Sequence, residues 1–130
     1  MDKWLDAGLG CCVLKNPDVR KVVNDTFYFF NEERYILHSF VIMPNHVHVL
    51  VELLGENTIN NVLHSWKRHS ANTINRMLGK KDQFWEHESY DRIIRDKTHY
   101  KMVMKYIIDN PKSLDPDSYT LMITKNNKEK

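Results

Sequence analysis

Two histidines, a tyrosine and an asparagine are the residues of this 130-residue chain whose types and spacing fit them for chemistry. His46 and His48 stand one residue apart in the run Met43-Pro44-Asn45-His46-Val47-His48-Val49-Leu50-Val51-Glu52. Alternate residues of a strand point the same way, so the two imidazoles share one face while Val47, Val49 and Val51 share the other. Two neutral imidazoles side by side supply half of a metal centre. A histidine pair on a strand also occurs on surfaces and in cores with no metal, so the pair alone leaves both readings open. Tyr106 and Asn110 stand four residues apart in a segment of helical periodicity and share a face one turn from each other. If that face packs over the histidine strand, two imidazoles, an amide and a phenol meet. Read alone, the same helix accounts for Tyr106 as a core aromatic beside Val103 and Ile107, and for Asn110 as a terminator before Pro111.

The elements that must position these residues are legible in the hydrophobic pattern. Asn16-Pro17-Asp18 opens a helix whose apolar residues Val19, Val22, Val23, Phe27 and Phe30 recur at helical spacing to about Asn31. The β-formers Tyr35 to Ile42 lead through Met43-Pro44-Asn45 into the His46 strand, which predicts an antiparallel hairpin. Thr58 caps a long helix carrying Ile59, Val62, Leu63, Trp66, Ile74, Met77 and Leu78 near one stripe and ending at Gly79. Phe84 to Arg95 reads as one or two short strands or an ordered loop. A last helix spans about Lys97 to Asp109. The tail after about residue 114 turns polar and basic and is expected to be disordered, with Asn126 to Lys130 frayed.

Length suits a single domain over residues 1–130, and 42% hydrophobic residues suffice for a core. No apolar run approaches the ~20 residues of a membrane span, and Met1-Asp2-Lys3-Trp4-Leu5-Asp6 lacks the order of a secretory signal, so a cytoplasmic protein with no membrane partner is expected. Cys11 and Cys12 are adjacent and make no disulfide framework or zinc site by spacing, which leaves them as small residues near a turn. From His64 to Lys105 there are ten basic and five acidic residues, a net +5 in a chain whose total is +2. Such a segment is either a solvated helix face or the footprint of a polyanion partner.

Three ordered strings resemble a known family: Val41-Ile42-Met43-Pro44-Asn45-His46-Val47-His48-Val49-Leu50-Val51, then Phe84-Trp85 through Tyr90-Asp91-Arg92-Ile93-Ile94-Arg95, then Tyr106-Ile107-Ile108-Asp109-Asn110-Pro111. Together with Gly8 to Leu14 and Glu33-Arg34-Tyr35 they are similar to the single-tyrosine HUH transposases (insertion-sequence-200-like), closest to the REP-associated tyrosine transposase branch. The likeness runs from about Leu5 to Pro111.

The resemblance implies an α+β, ferredoxin-like HUH endonuclease fold, a mainly antiparallel sheet with helices packed on one face. It implies that His46, His48 and Asn110 hold a divalent metal, magnesium or manganese, and that Tyr106 is the catalytic nucleophile. The implied reaction is metal-assisted cleavage and rejoining of single-stranded DNA beside a hairpin through a 5′-phosphotyrosine link. A phenol with an ordinary pKa of ~10 is a poor nucleophile at neutral pH, so polarisation of the phosphate by a metal is what such chemistry needs. Lys67, Arg68 and Arg76 then become phosphate contacts, while Trp85 and Tyr90, near Arg92 and Arg95, read either as rings that stack on unpaired bases or as core packing. Family members include homodimers and monomers. They begin with a strand upstream of the region matching Leu5 to Leu14, which this chain starts too late to contain. The sheet is therefore expected to show an open edge or to be completed by another chain. Two alternatives follow: a truncated or domesticated DNA-binding remnant without catalysis, and a metal-dependent phosphoesterase in which water attacks.

Overall fold

The computed structural model describes residues 2–9, 13–79, 85–93 and 97–123. Cys11, Cys12, Arg95 and the tail from residue 124 lie outside the described residues, as do the side chains of Tyr90 and Arg92.

Local signals set most boundaries. Asn16 caps the first helix, α1 (Pro17–Phe29): its Oδ1 accepts from the Asp18 N–H at 2.8 Å, and Pro17 sits in the first turn, where its missing donor is harmless. The hairpin forms as β2 (Tyr35–Met43) and β3 (His46–Leu53), with Met43 opposite His46 across the Pro44-Asn45 turn. Thr58 caps α2 (Ile59–Leu78), accepting from the Asn61 N–H at 3.2 Å, and Gly79 ends it at φ 69° in the left-handed region that favours glycine. The mixed segment is a single strand, β4 (Trp85–Ile93), and the last helix is α3 (Lys97–Asp109).

Two strands depart from the expectations. Asp2–Leu9 form β1, paired antiparallel with β3 on one side and β4 on the other, with Asp6 opposite both His48 and Tyr90. The start of the matching region thus supplies a strand of its own between β3 and β4, from which Leu5, 1% exposed, joins the core, and β4 and β5 are the edges of the sheet. Thr120–Ile123 form β5 on the far side of β2, so the tail after residue 114 is ordered at least this far. The reason is a single buried cation. Arg20 on α1 donates to the carbonyls of Leu14, Lys15 and Asp117 and to Thr120 Oγ1, which ties the segment before β5 to α1.

The five-stranded sheet runs β4-β1-β3-β2-β5, every pair antiparallel, and its first four strands with α1 and α2 follow the split β-α-β order of ferredoxin-like folds. The α+β expectation holds. One detail does not: the helices occupy both faces. Leu5, Phe40, Ile42, Val47, Val49 and Val51 pack with Val19, Val23 and Phe27 of α1 and Val62, Trp66 and Ile74 of α2. The opposite-facing Val41, Met43 and Leu50 form a separate, smaller cluster with Val103 and Ile107 of α3. Strand alternation is the cause, since both faces of β2 and β3 are apolar and each needs a cover. The main core is pinned by a buried relay in which Trp66 Nε1 donates to Tyr35 Oη at 2.7 Å and Tyr35 Oη donates to the Phe27 carbonyl at 2.6 Å. Burial raises the Tyr35 pKa and keeps that phenol neutral.

Candidate functional site

β3 lies between β1 and β2, so His46 and His48 project from an interior strand whose position is fixed on both edges. Their rings meet edge to face, with centroids 4.9 Å apart. Both belong to the face covered by α3, while Val47, Val49 and Val51 enter the main core. The Tyr106 ring of α3 lies against His48 with centroids 5.2 Å apart and an interplanar angle of 85°. The helix is held there by Val103 and Ile107, which stand three residues before and one after the tyrosine and are 3% and 0% exposed. Burial is graded across the cluster: His48 is 1% exposed and Tyr106 is 45% exposed. The tyrosine is thus open to a large substrate, while the imidazole behind it is closed off.

His46 carries an orienting contact that the sequence did not disclose. Its Nδ1 is 2.7 Å from Asn45 Oδ1. An amide oxygen only accepts, so the imidazole proton sits on Nδ1 and the Nε2 lone pair is left for another use, the arrangement by which metal-ligating histidines are held in one tautomer. Asn45 reads in sequence only as a turn residue after Pro44; its place next to a candidate ligand is the signal that could have found it. Asn110 opens a 3₁₀ turn, Asn110–Ser113, at the end of α3, one turn beyond Tyr106 and half-buried. Among the described residues no group of three His, Cys, Asp or Glu side chains gathers. An amide oxygen with two imidazoles and waters fits a divalent cation of the magnesium or manganese kind.

Of the remaining candidates, those on α2 and Trp85 stand apart from this cluster. Lys67, Arg68 and Arg76 lie on α2, across the sheet from the histidines. Arg68 and Arg76 are exposed, whereas Lys67 is half-buried and desolvation lowers its pKa. Trp85 is corrected outright as a base-stacking residue: it is 6% exposed, and its Nε1 donates to Ser70 Oγ at 2.8 Å on α2, which makes it a core residue. The backbones of Tyr90 and Arg92 lie in β4. His99 stands in the first turn of α3, two turns before Tyr106. His38 lies beside Tyr100 of α3, its Nε2 3.9 Å from Glu52 Oε1. Among the described residues no helix is long and apolar enough to cross a membrane.

No curated protein matches the chain at a significant level. Two solved structures resemble it in fold. A REP-associated tyrosine transposase bound to a REP hairpin superposes with a TM-score of 0.68 at 16% identity, over 86% of this chain and 67% of that one. A candidate transposase from Deinococcus radiodurans R1 gives a TM-score of 0.54 at 14% identity, over 84% of this chain and 89% of that one. The model of the IS200-like transposase family matches residues 13–110, which contain the hairpin of His46 and His48, Tyr106 and Asn110. The chain belongs to the IS200-like transposase family.

Proposed function

We propose that the chain is a metal-dependent single-stranded DNA endonuclease and strand transferase of the REP-associated branch, with Tyr106 as the nucleophile. The observation that carries this reading is the contact of the half-exposed Tyr106 with the buried His48, which in turn meets His46. His46, His48 and the Asn110 amide oxygen are the protein ligands proposed for magnesium or manganese. When bound, such an ion supplies positive charge where charge develops on the phosphate oxygens. The Tyr106 oxygen bonds to the scissile phosphorus as the bond from phosphorus to the 3′-oxygen breaks. The phenolic proton passes to solvent and the departing 3′-oxygen takes one up. The products are a 5′-phosphotyrosine and a free 3′-hydroxyl, and attack by a strand end on the phosphotyrosine reverses the step. Placement of Tyr106 on α3, outside the main core, leaves room for a strand to reach it.

The substrate proposed is single-stranded DNA next to a hairpin, in keeping with the REP hairpin held by the structurally similar transposase. A DNA-binding remnant without catalysis and a phosphoesterase in which water attacks are separated from this reading by one assay. Labelled hairpin oligonucleotides with single-stranded flanks, incubated with manganese and run on denaturing gels, should give a covalent protein-DNA band that Tyr106→Phe abolishes. Cleavage by Tyr106→Phe without an adduct would assign the attack to water, and binding without cleavage by the parent chain would favour the remnant. The mass in solution, with and without DNA, separates a monomer from a homodimer.

A further inference from the structure

The side of the sheet covered by α1 and α2 carries a second aromatic arrangement. Phe29, the last residue of α1, is 62% exposed. Its ring lies nearly parallel to that of the exposed His69 on α2, with centroids 5.0 Å apart and 14° between the planes. Phe30, 8% exposed, meets Phe29 edge-on at 4.9 Å and His69 edge-on at 5.8 Å, and the Arg34 guanidinium covers the Phe30 ring at 4.9 Å. The two outer rings are therefore backed by a fixed inner ring and present a preformed aromatic surface to water. Beside them, α2 contains no Asp or Glu in its 20 residues. It does carry exposed arginines: Arg68 adjoins His69, and Arg76 lies two turns further on, about 10 Å along the axis.

We propose that this α1–α2 face binds an unpaired stretch of nucleic acid, with a base stacked on the Phe29–His69 pair and phosphates held by Arg68 and Arg76. An exposed aromatic stack beside an acid-free cationic helix is the combination that single strands require: rings for the bases, which stack without regard to sequence, and positive charge for the backbone. Glu32 and Glu33 follow α1, so a bound strand runs along α2 and away from that turn. The site lies across the sheet from His46, His48 and Tyr106, so one strand passing both faces, or two strands, can be held while one is cut. The inference rests on the reading of the chain as a DNA-acting protein but concerns binding alone.

The test uses the full chain bearing Tyr106→Phe, without metal, and a fluorescein-labelled 12-nucleotide single strand followed by anisotropy. Phe29→Ala and Phe29→Leu should each weaken binding by about 5- to 150-fold, the range for loss of one stacked base, while Phe29→Trp retains it. Arg68→Gln and Arg76→Gln should each flatten the salt dependence by about 0.7 of a logarithmic unit per logarithmic unit of salt. Equal affinity for parent and Phe29→Ala overturns the proposal even if the parent forms a covalent adduct in the manganese assay. A fall in affinity supports it even if no adduct forms. A dimer-to-monomer change in Phe29→Ala with unchanged oligonucleotide affinity would make the face a contact between copies of the chain and likewise overturn it.

Discussion

Replacing Asn45 by alanine should weaken metal binding without disturbing the fold. The 2.7 Å contact between Asn45 Oδ1 and His46 Nδ1 fixes which imidazole nitrogen carries the proton. Without it, the neutral ring is free to protonate Nε2, the atom an ion would need. A neutral hydrogen bond contributes ~0.5–1.5 kcal/mol net. Loss of a partner that orients a metal-bound histidine typically lowers affinity by about 10- to 100-fold. Asn45 is exposed, so water replaces part of what the amide supplied and the effect falls at the low end, about tenfold or ~1.4 kcal/mol. The assay is calorimetric titration of manganese into the Tyr106→Phe chain, alone and with Asn45→Ala, His46→Ala or both. In the His46→Ala background Asn45→Ala should do nothing further, because the partner is gone. Affinity unchanged by Asn45→Ala, or reduced equally with and without His46, would refute the orienting role. Thermal unfolding should stay unchanged, since Asn45 lies in an exposed turn.

Three further outcomes concern the scaffold. Trp85→Phe removes a buried donor to Ser70 Oγ and part of a large ring, and should lower unfolding stability by about 1–3 kcal/mol in urea while leaving oligonucleotide affinity intact; a binding defect with unchanged stability would return Trp85 to the nucleic-acid interface. Gly79→Ala meets no atom within 4 Å but forces a side chain onto φ 69°, and should cost about 1–2 kcal/mol by the same measurement. The Lys21 ammonium 2.7 Å away, donating to Asp25, holds that carboxyl below its ordinary pKa of 3.8. A lowered carboxyl pKa stabilises the fold above the unfolded value and is lost as pH falls through the folded one. Asp25→Asn should therefore flatten the acid limb of a stability-pH curve below about pH 4, by no more than a few tenths of a kcal/mol at this exposed pair.

Where the chain announced its structure, short-range chemistry did the announcing. Asn16-Pro17, Pro44-Asn45, Thr58 and Gly79 each solve a local backbone problem, so the boundaries of α1, the hairpin and α2 follow from neighbours a few residues away. His46, His48, Tyr106 and Asn110 were legible for a similar reason, because period two and period four place them on faces before any packing is known. What escaped was non-local. Nothing near Thr120 shows that Arg20, 100 residues earlier, will hold its hydroxyl, so β5 was read as a loose tail. Nothing near Trp85 shows that Ser70 awaits its ring nitrogen, so the sequence leaves that ring between stacking and core. The placement of α3 on its own face depended on both sides of β2 and β3 being apolar, a pattern that alternation alone leaves symmetric. Met77 and Leu78, placed near the apolar stripe of α2, are 45% and 38% exposed.

The unequal burial of His48 and Tyr106 bears on how a domain of this kind decays. His48 is 1% exposed on an interior strand, so an altered side chain there leaves a hole or an unmatched polar group in the layer beneath α3. Tyr106 is 45% exposed and can change to phenylalanine with little loss of packing. Folding therefore polices one half of the centre and not the other. Lineages in which selection for cutting has lapsed should accumulate substitutions at the tyrosine first and still carry both histidines, because a copy that loses the buried one risks its fold along with its chemistry. On the proposed mechanism, intact histidines are thus poor witnesses of activity, and the tyrosine is the better one.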